Sequence, residues 1–445
     1  MDLSTTYRNI FKISAPIMIG GASQNVIALT DSIFLYHYDQ LMFAAMGFVG
    51  VYYLIIAAIG YGFSRGGQIL IARKMGEKNK VAIGQIMHMM LIFELTMAFV
   101  MFLFMRYGSE WLFSRLANSN TIIHHSLEYI KYRSLGVFAS YIGVVFISLY
   151  AGVARTSIIA YQTIVLIVIN LILNYGFIFG HLGLPAMGIA GAGLASSIAE
   201  IVAVIVFAIF IFIDNKKYQY HLFELHPLNW VIIKRIIQVS VPFVIQSIVG
   251  LGSSFLLFSW IENMGEKQLA ISNLARVVYL ILSVPIWGYS AGIQTLVSGY
   301  IGKLRIKAVI PIIWKTAKLS LITTAIIAVP FLLFPEYLFY PILGADNMQL
   351  VYDAKPIFNI VMVLLLMFSV ATIFFNGLSG TGASFQALGI QTLCTVSYLI
   401  CAFYFIKIRH LSLAWAWSSE MLYWVLILMT SLYALYGHKW KSIFD

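Results

Sequence analysis

Twelve stretches of apolar sequence, each about the length needed to cross a bilayer, dominate this chain. They lie near residues 14–36, 42–71, 83–105, 134–154, 158–180, 188–213, 240–261, 268–300, 309–334, 356–377, 384–406 and 411–436. A helix needs roughly 20 mostly apolar residues to span the hydrocarbon core. Helices and closed barrels are the only spanning structures that satisfy every backbone polar group there. Apolar residues fill 61% of the 445 positions and charged residues 10%, far from the balance of a water-soluble domain. The fold class that follows is an all-α membrane protein with twelve transmembrane helices.

The formal net charge is +11, but the basic residues fall between apolar segments and form no continuous stripe, so a nucleic-acid partner is excluded. Counted loop by loop, 18 Lys and Arg lie on the side that holds both termini and 8 on the other. The positive-inside rule then places both termini in the cytoplasm, with the chain in the cell inner (plasma) membrane. In that count Arg133 closes an outside loop over 106–133, while Arg65 and Arg276 lie within spans. The segments group into an N-terminal lobe over 8–214 (helices 1–6), a cytoplasmic linker over 215–239 and a C-terminal lobe over 240–438 (helices 7–12). Residues from Met1 to Lys12 are short and polar and carry no cleavable signal. Cys394 and Cys401 share one helix face, seven residues apart, and cannot bridge within an unbroken helix.

The two lobes repeat each other. A shift of 226 residues lays the first two segments on the seventh and eighth without a gap, with 14 identities between positions 14 and 76; chance for this composition gives about 5. Ser14 and Pro16 fall on Ser240 and Pro242, Tyr53 on Tyr279, and Gly62, Ser64, Gly66, Gln68 and Gly76 on Gly288, Ser290, Gly292, Gln294 and Gly302. Each unit has an even number of helices, so both copies insert in the same orientation. That is the parallel type of repeat, expected to enclose a central cleft and to work by alternating access.

Four stretches carry a resemblance. They are Ala15-Pro16 followed by Thr30-Asp31-Ser32; Gln68-Ile69-Leu70-Ile71-Ala72-Arg73-Lys74-Met75-Gly76; Gly377-Leu378-Ser379-Gly380-Thr381-Gly382; and Asn170-Leu171-Ile172-Leu173-Asn174 with Ile178-Phe179-Gly180 and Gly188-Ile189-Ala190-Gly191-Ala192. In order and spacing the chain resembles the multidrug and toxic compound extrusion (MATE) family over nearly its whole length. The resemblance implies a secondary antiporter that exports cationic or amphipathic small molecules in exchange for protons or sodium ions. A flippase for lipid-linked saccharide or another amphipathic lipid is the alternative within the superfamily. An integral membrane lipid-modifying enzyme is the alternative of another class. It needs clustered acid, base or metal groups, and none is found.

Asp31 is the main candidate for coupling. It is a lone carboxylate flanked by Leu29, Ile33, Phe34 and Leu35. Such a group is costly in hydrocarbon and marks a functional site by default; burial lets a carboxyl load and release a proton near neutral pH. Asn170 and Asn174, four apart, project from one face of the fifth span. Many members of the resembled family carry Asp at the second of these positions, so Asn174 removes a charge from a sodium site. Ser196 matches a hydroxyl position of the family's sixth helix. Gln24, Gln68, Glu94 and Gln294 are candidates for the substrate cleft.

Glu94, Glu200 and Glu420 lie within spans three, six and twelve. Each is expected to face the cleft, pair with Arg65 or Arg276, or reach for an interface; Arg65 with Glu94 is the specific pairing. The positions that match acids of helices seven and ten in some relatives are Gly250 and Ser369, and Asp31 falls opposite Leu257. Coupling is therefore expected in the first lobe. The nine histidines form no metal spacing, and no Walker A loop, nucleophile elbow or HExxH motif occurs. The expected partners are a small-molecule substrate and the bilayer, with no cofactor beyond the coupling ion, and the chain is expected to work as a monomer.

Overall fold

A computed structural model describes residues 6–117, 119–224, 226–336, 348–437 and 440, without the side chains of 22–25. Twelve helices among the described residues are long and apolar enough to cross a membrane. They are α1 (Tyr7–Tyr38), α2 (Gln40–Gly76), α3 (Lys80–Leu116), α4 (Asn120–Gly152), α5 (Ser157–Phe179) and α6 (Gly188–Tyr218) in the first half. The second half holds α7 (Trp230–Glu262), α8 (Glu266–Gly302), α9 (Ile306–Leu333), α10 (Met348–Gly380), α11 (Ser384–Ile408) and α12 (Leu413–Tyr436). No strand occurs among the described residues. The chain is a multi-pass membrane protein.

Several helices run well past the apolar segments that announce them. The outside loop expected over 106–133 is almost wholly helical: α3 continues to Leu116 through a π-helical turn at Phe104–Gly108, and α4 begins at Asn120. Arg133 therefore lies inside α4 and is 2% exposed. It leaves the loop-charge count, because its charge is neutralised within the bundle. Asp39, Asn79 and Ser119 cap α2, α3 and α4 by accepting from the backbone N–H of Met42, Ala82 and Ile122, which supplies partners to otherwise orphaned donors.

The chain divides into two compact units. One is Ile19–Val244; the other joins Met1–Met18 to Ile245–Asp445. In the first, α4 is central and packs on α2, α3 and α6; in the second, α10 is central and packs on α8, α9 and α12. These two are the most enclosed spans, 72% and 67% buried over their apolar windows. The bounds of α2 and α8 differ by 226 at both ends, and so do the two points, Met18/Ile19 and Val244/Ile245, where the units part.

The matched glycines of the repeat have a packing reason. A Cβ on Gly66 would lie 2.0 Å from Ser240 Oγ, and one on Gly292 would lie 2.4 Å from Ser14 Oγ. A Cβ on Gly62 would meet Val244 at 2.7 Å and one on Gly288 would meet Met18 at 2.2 Å. The start of α7 therefore lies directly against the backbone of α2 within one unit, and the start of α1 lies against α8 within the other. Small residues permit that close approach in lipid, where helix association depends on packing.

Candidate cation and proton site

Asp31 lies at 1% exposure on a helix whose neighbours Leu29 and Ile33 are 60% and 47% exposed. The apolar flanks that make α1 a spanning segment point outward, and the carboxylate points into the N-terminal unit. Thr30 and Ser32 donate to the carbonyls of Val26 and Ala28 one turn earlier, so their hydroxyls are satisfied within the helix. Leu257, the residue opposite Asp31 in the repeat, is buried in an apolar cluster of the C-terminal unit.

Helix α5 brings Asn170 and Asn174 to the same place through their four-residue spacing. Helix α6 brings Ser196, and its small residues let it come close. A Cβ on Gly191 would lie 2.4 Å from the Phe177 carbonyl oxygen, and one on Gly193 would lie 2.6 Å from that of Tyr129.

The four side chains close a ring. Asn174 Nδ2 donates to Asp31 Oδ1 at 2.5 Å and to Asn170 Oδ1 at 3.1 Å. Asn170 Nδ2 donates to Ser196 Oγ at 3.0 Å, and Ser196 Oγ donates to Asp31 Oδ2 at 3.3 Å. All four residues are buried. Both carboxylate oxygens are thus held by neutral donors, and Asn174 Oδ1 is buried without a hydrogen-bond partner.

Of the residues singled out in the sequence, the structure brings Asp31, Asn170, Asn174 and Ser196 together. The side chain of Gln24 lies outside the described residues. Gln68 is buried on α2, and Gln294 on α8 donates to Asn376 Oδ1 at 2.7 Å. Glu94 is buried on α3, and neither of its carboxylate oxygens has a hydrogen-bond partner.

The expected pairings of the in-span acids are corrected. Arg65 is exposed while Glu94 is buried, and no ion pair joins them among the described residues. Glu200 pairs instead with Arg133: Nη1 reaches Oε2 at 2.7 Å and Nη2 reaches Oε1 at 2.6 Å. The guanidinium also lies 3.8 Å from the ring centre of Tyr53. Glu420 accepts from Tyr279 Oη and Trp424 Nε1, both at 3.2 Å. Hydropathy alone hid the Arg133 pair, because Lys131-Tyr132-Arg133 reads as the edge of a loop. Rotation about the α4 axis leaves Lys131 exposed and Arg133 buried.

A family model described as MatE matches residues 16–176 and again 242–404. The chain belongs to the MatE family. The two matches begin at Pro16 and Pro242, so the family unit is the repeat itself. A protein of Thermotoga maritima named "Probable multidrug resistance protein NorM" is 25% identical over 92% of this MatE chain and 88% of its own. One of the same name in Bacillus subtilis is 30% identical over a shorter stretch, 28% of this chain and 29% of that one. A solved structure of the outward-facing conformation of a multidrug resistance MATE family transporter of the MOP superfamily superposes with a TM-score of 0.89. It covers 97% of this chain and 96% of that one at 19% identity. A MOP superfamily transporter from Pyrococcus furiosus gives 0.86, with 98% and 95% covered at 18% identity. These structural likenesses are likenesses of fold. The relatives carry the names of transporters, not of enzymes.

Proposed function

We propose that this MatE protein is a secondary active antiporter that exports cationic or amphipathic small molecules in exchange for protons, by alternating access. It resides in the cell inner (plasma) membrane with both termini cytoplasmic, works as a monomer, and needs no cofactor beyond the coupling ion. The names of its relatives support multidrug export. The observation that carries the coupling is the closed ring of Asp31, Asn174, Asn170 and Ser196, in which one buried carboxylate is held by neutral donors alone.

The ring can serve both protonation states. An ionised Asp31 accepts the bonds of Asn174 and Ser196. A protonated Asp31 gains an O–H that needs an acceptor. A half-turn of the Asn174 amide exchanges its N–H2 for the carbonyl oxygen that lacks a partner. The change of bonding links α1 to α5 differently in the two states, and a ligand or proton with different affinity for two states shifts their balance.

Proton coupling is favoured over sodium because the ring holds one acid. Asn174 stands where a second carboxylate would complete a hard-cation site. The test is efflux from proteoliposomes with pH and sodium gradients varied separately. Asp31→Asn is expected to abolish pH-driven efflux while the protein stays folded. Normal pumping by that variant would refute the assignment of Asp31.

A further inference from the structure

We propose that Glu420, Tyr279 and Trp424 form a binding site for a planar, delocalised organic cation within the C-terminal unit. This deepens the exporter reading and rests on it. The site arises from comparing the two repeats. Tyr53 on α2 and Tyr279 on α8 are equivalent, 226 residues apart, and each stands beside a glutamate from the sixth helix of its own repeat.

In the first repeat the glutamate is Glu200, and the space is filled by the chain's own planar cation. The Arg133 guanidinium lies on the Tyr53 ring at 3.8 Å and grips both oxygens of Glu200. A guanidinium between an aromatic face and a carboxylate combines ring-quadrupole attraction with charge-assisted hydrogen bonds.

In the second repeat the glutamate is Glu420, on α12, six residues earlier than the 226-residue shift would place it, roughly one and two-thirds turns. The bounds of α4 and α10 differ by 228 at both ends, which lays Arg133 on Val361, and no Lys or Arg among the described residues forms an ion pair with Glu420. Both hydrogen bonds from Tyr279 and Trp424 go to Oε1, so Oε2 receives none from the described residues. Arg276, the in-span cation of this unit, is exposed and lies over the Phe258 ring at 4.9 Å.

Aromatic rings surround the carboxylate. Tyr279 lies parallel to Phe368 within 6° at 5.7 Å, and Phe368 lies 4.3 Å from Trp424. Trp424 meets Tyr423 edge-on at 4.7 Å. Phe368 is buried, whereas Tyr279, Glu420, Tyr423 and Trp424 are half-buried. The rings thus form a stiff wall with a carboxylate set into it. A flat cation would find a ring face for its charge and Oε2 for a donor. Desolvated cation–π contacts of this kind are the stronger ones.

The test is equilibrium binding of ethidium, a planar fluorescent cation, to the purified full chain in lipid nanodiscs, with no gradient imposed. Glu420→Gln and Tyr279→Leu are each expected to weaken binding about tenfold or more. Tyr279→Phe, which keeps the ring, should lose less than Tyr279→Leu. Uncharged phenanthridine should bind Glu420→Gln and the parent alike. Unchanged ethidium affinity in Glu420→Gln, or no binding by the parent protein, overturns the site. If Glu420→Gln does not fold, the order of the two Tyr279 variants decides: equal affinities overturn it. Binding without any proton-driven efflux would sink the exporter reading and leave the site standing.

Discussion

Arg133 and Glu200 form a two-pronged ion pair, 2.7 and 2.6 Å, at 2% and 5% exposure between α4 and α6. Removing one partner of such a pair leaves a buried charge uncompensated and costs about 3–5 kcal/mol. Arg133→Met is therefore expected to lower the thermal midpoint sharply. The double variant Arg133→Met with Glu200→Leu should recover most of the loss, because an apolar pair of similar volume replaces the ionic one. Unfolding scans in detergent check this; a double variant no better than the single one would show that the pair's geometry, not its charge balance, is what matters.

Asn174 Nδ2 lies 2.5 Å from Asp31 Oδ1. Putting a second carboxylate there, Asn174→Asp, sets two acids side by side, and like charges that close cannot both be ionised without a cation. The variant is expected to make efflux respond to a sodium gradient at fixed pH, which the parent should not do. Transport by Asn174→Asp that ignores sodium would count against the one-acid account of proton selectivity.

Gly66 and Gly292 occupy equivalent crossings, and the two differ in what an added methyl would strike. On Gly292 it meets the Ser14 hydroxyl at 2.4 Å, with Ser14 Cβ next at 3.4 Å. On Gly66 it meets the Ser240 hydroxyl at 2.0 Å and also the Ser240 backbone N at 2.9 Å. Overpacking of this kind typically costs about 1–3 kcal/mol. Gly292→Ala should be rescued by Ser14→Gly, whereas Gly66→Ala should be rescued only in part by Ser240→Gly, since the backbone stays in the way. Thermal midpoints of the four variants give the comparison.

Glu94 is buried with both carboxylate oxygens unpartnered. Replacing an unsatisfied polar group by an apolar one of similar shape removes a penalty of about 1–3 kcal/mol. Glu94→Leu is expected to fold, insert and unfold at a higher temperature than the parent. A lower midpoint would indicate that Glu94 has a partner the protein needs.

Much of this molecule is legible in the order of its residues. The apolar runs determine twelve helices, because spanning depends on local hydropathy and length. The shift of 226 residues predicts equivalent helices, and α2 and α8 match it at both ends. The position of Asp31 among apolar neighbours, and the spacing of Asn170 and Asn174, predict a polar cluster that the ring of hydrogen bonds realises.

What tertiary structure alone decided is which polar residues meet. Whether Arg133 is a loop charge or a buried one depends on where α4 begins and how it is turned about its axis. Whether Glu94 has a partner, and whether Glu200 meets Arg133 or Arg65, depends on three helices settling together. Hydropathy reports how apolar a helix is, not which way it faces. In a chain where most side chains are apolar on every face, periodicity carries little of that information. The lone carboxylate at Asp31 was visible from its cost in lipid; the cation set against Glu200 and the rings set against Glu420 appear only once the helices are packed.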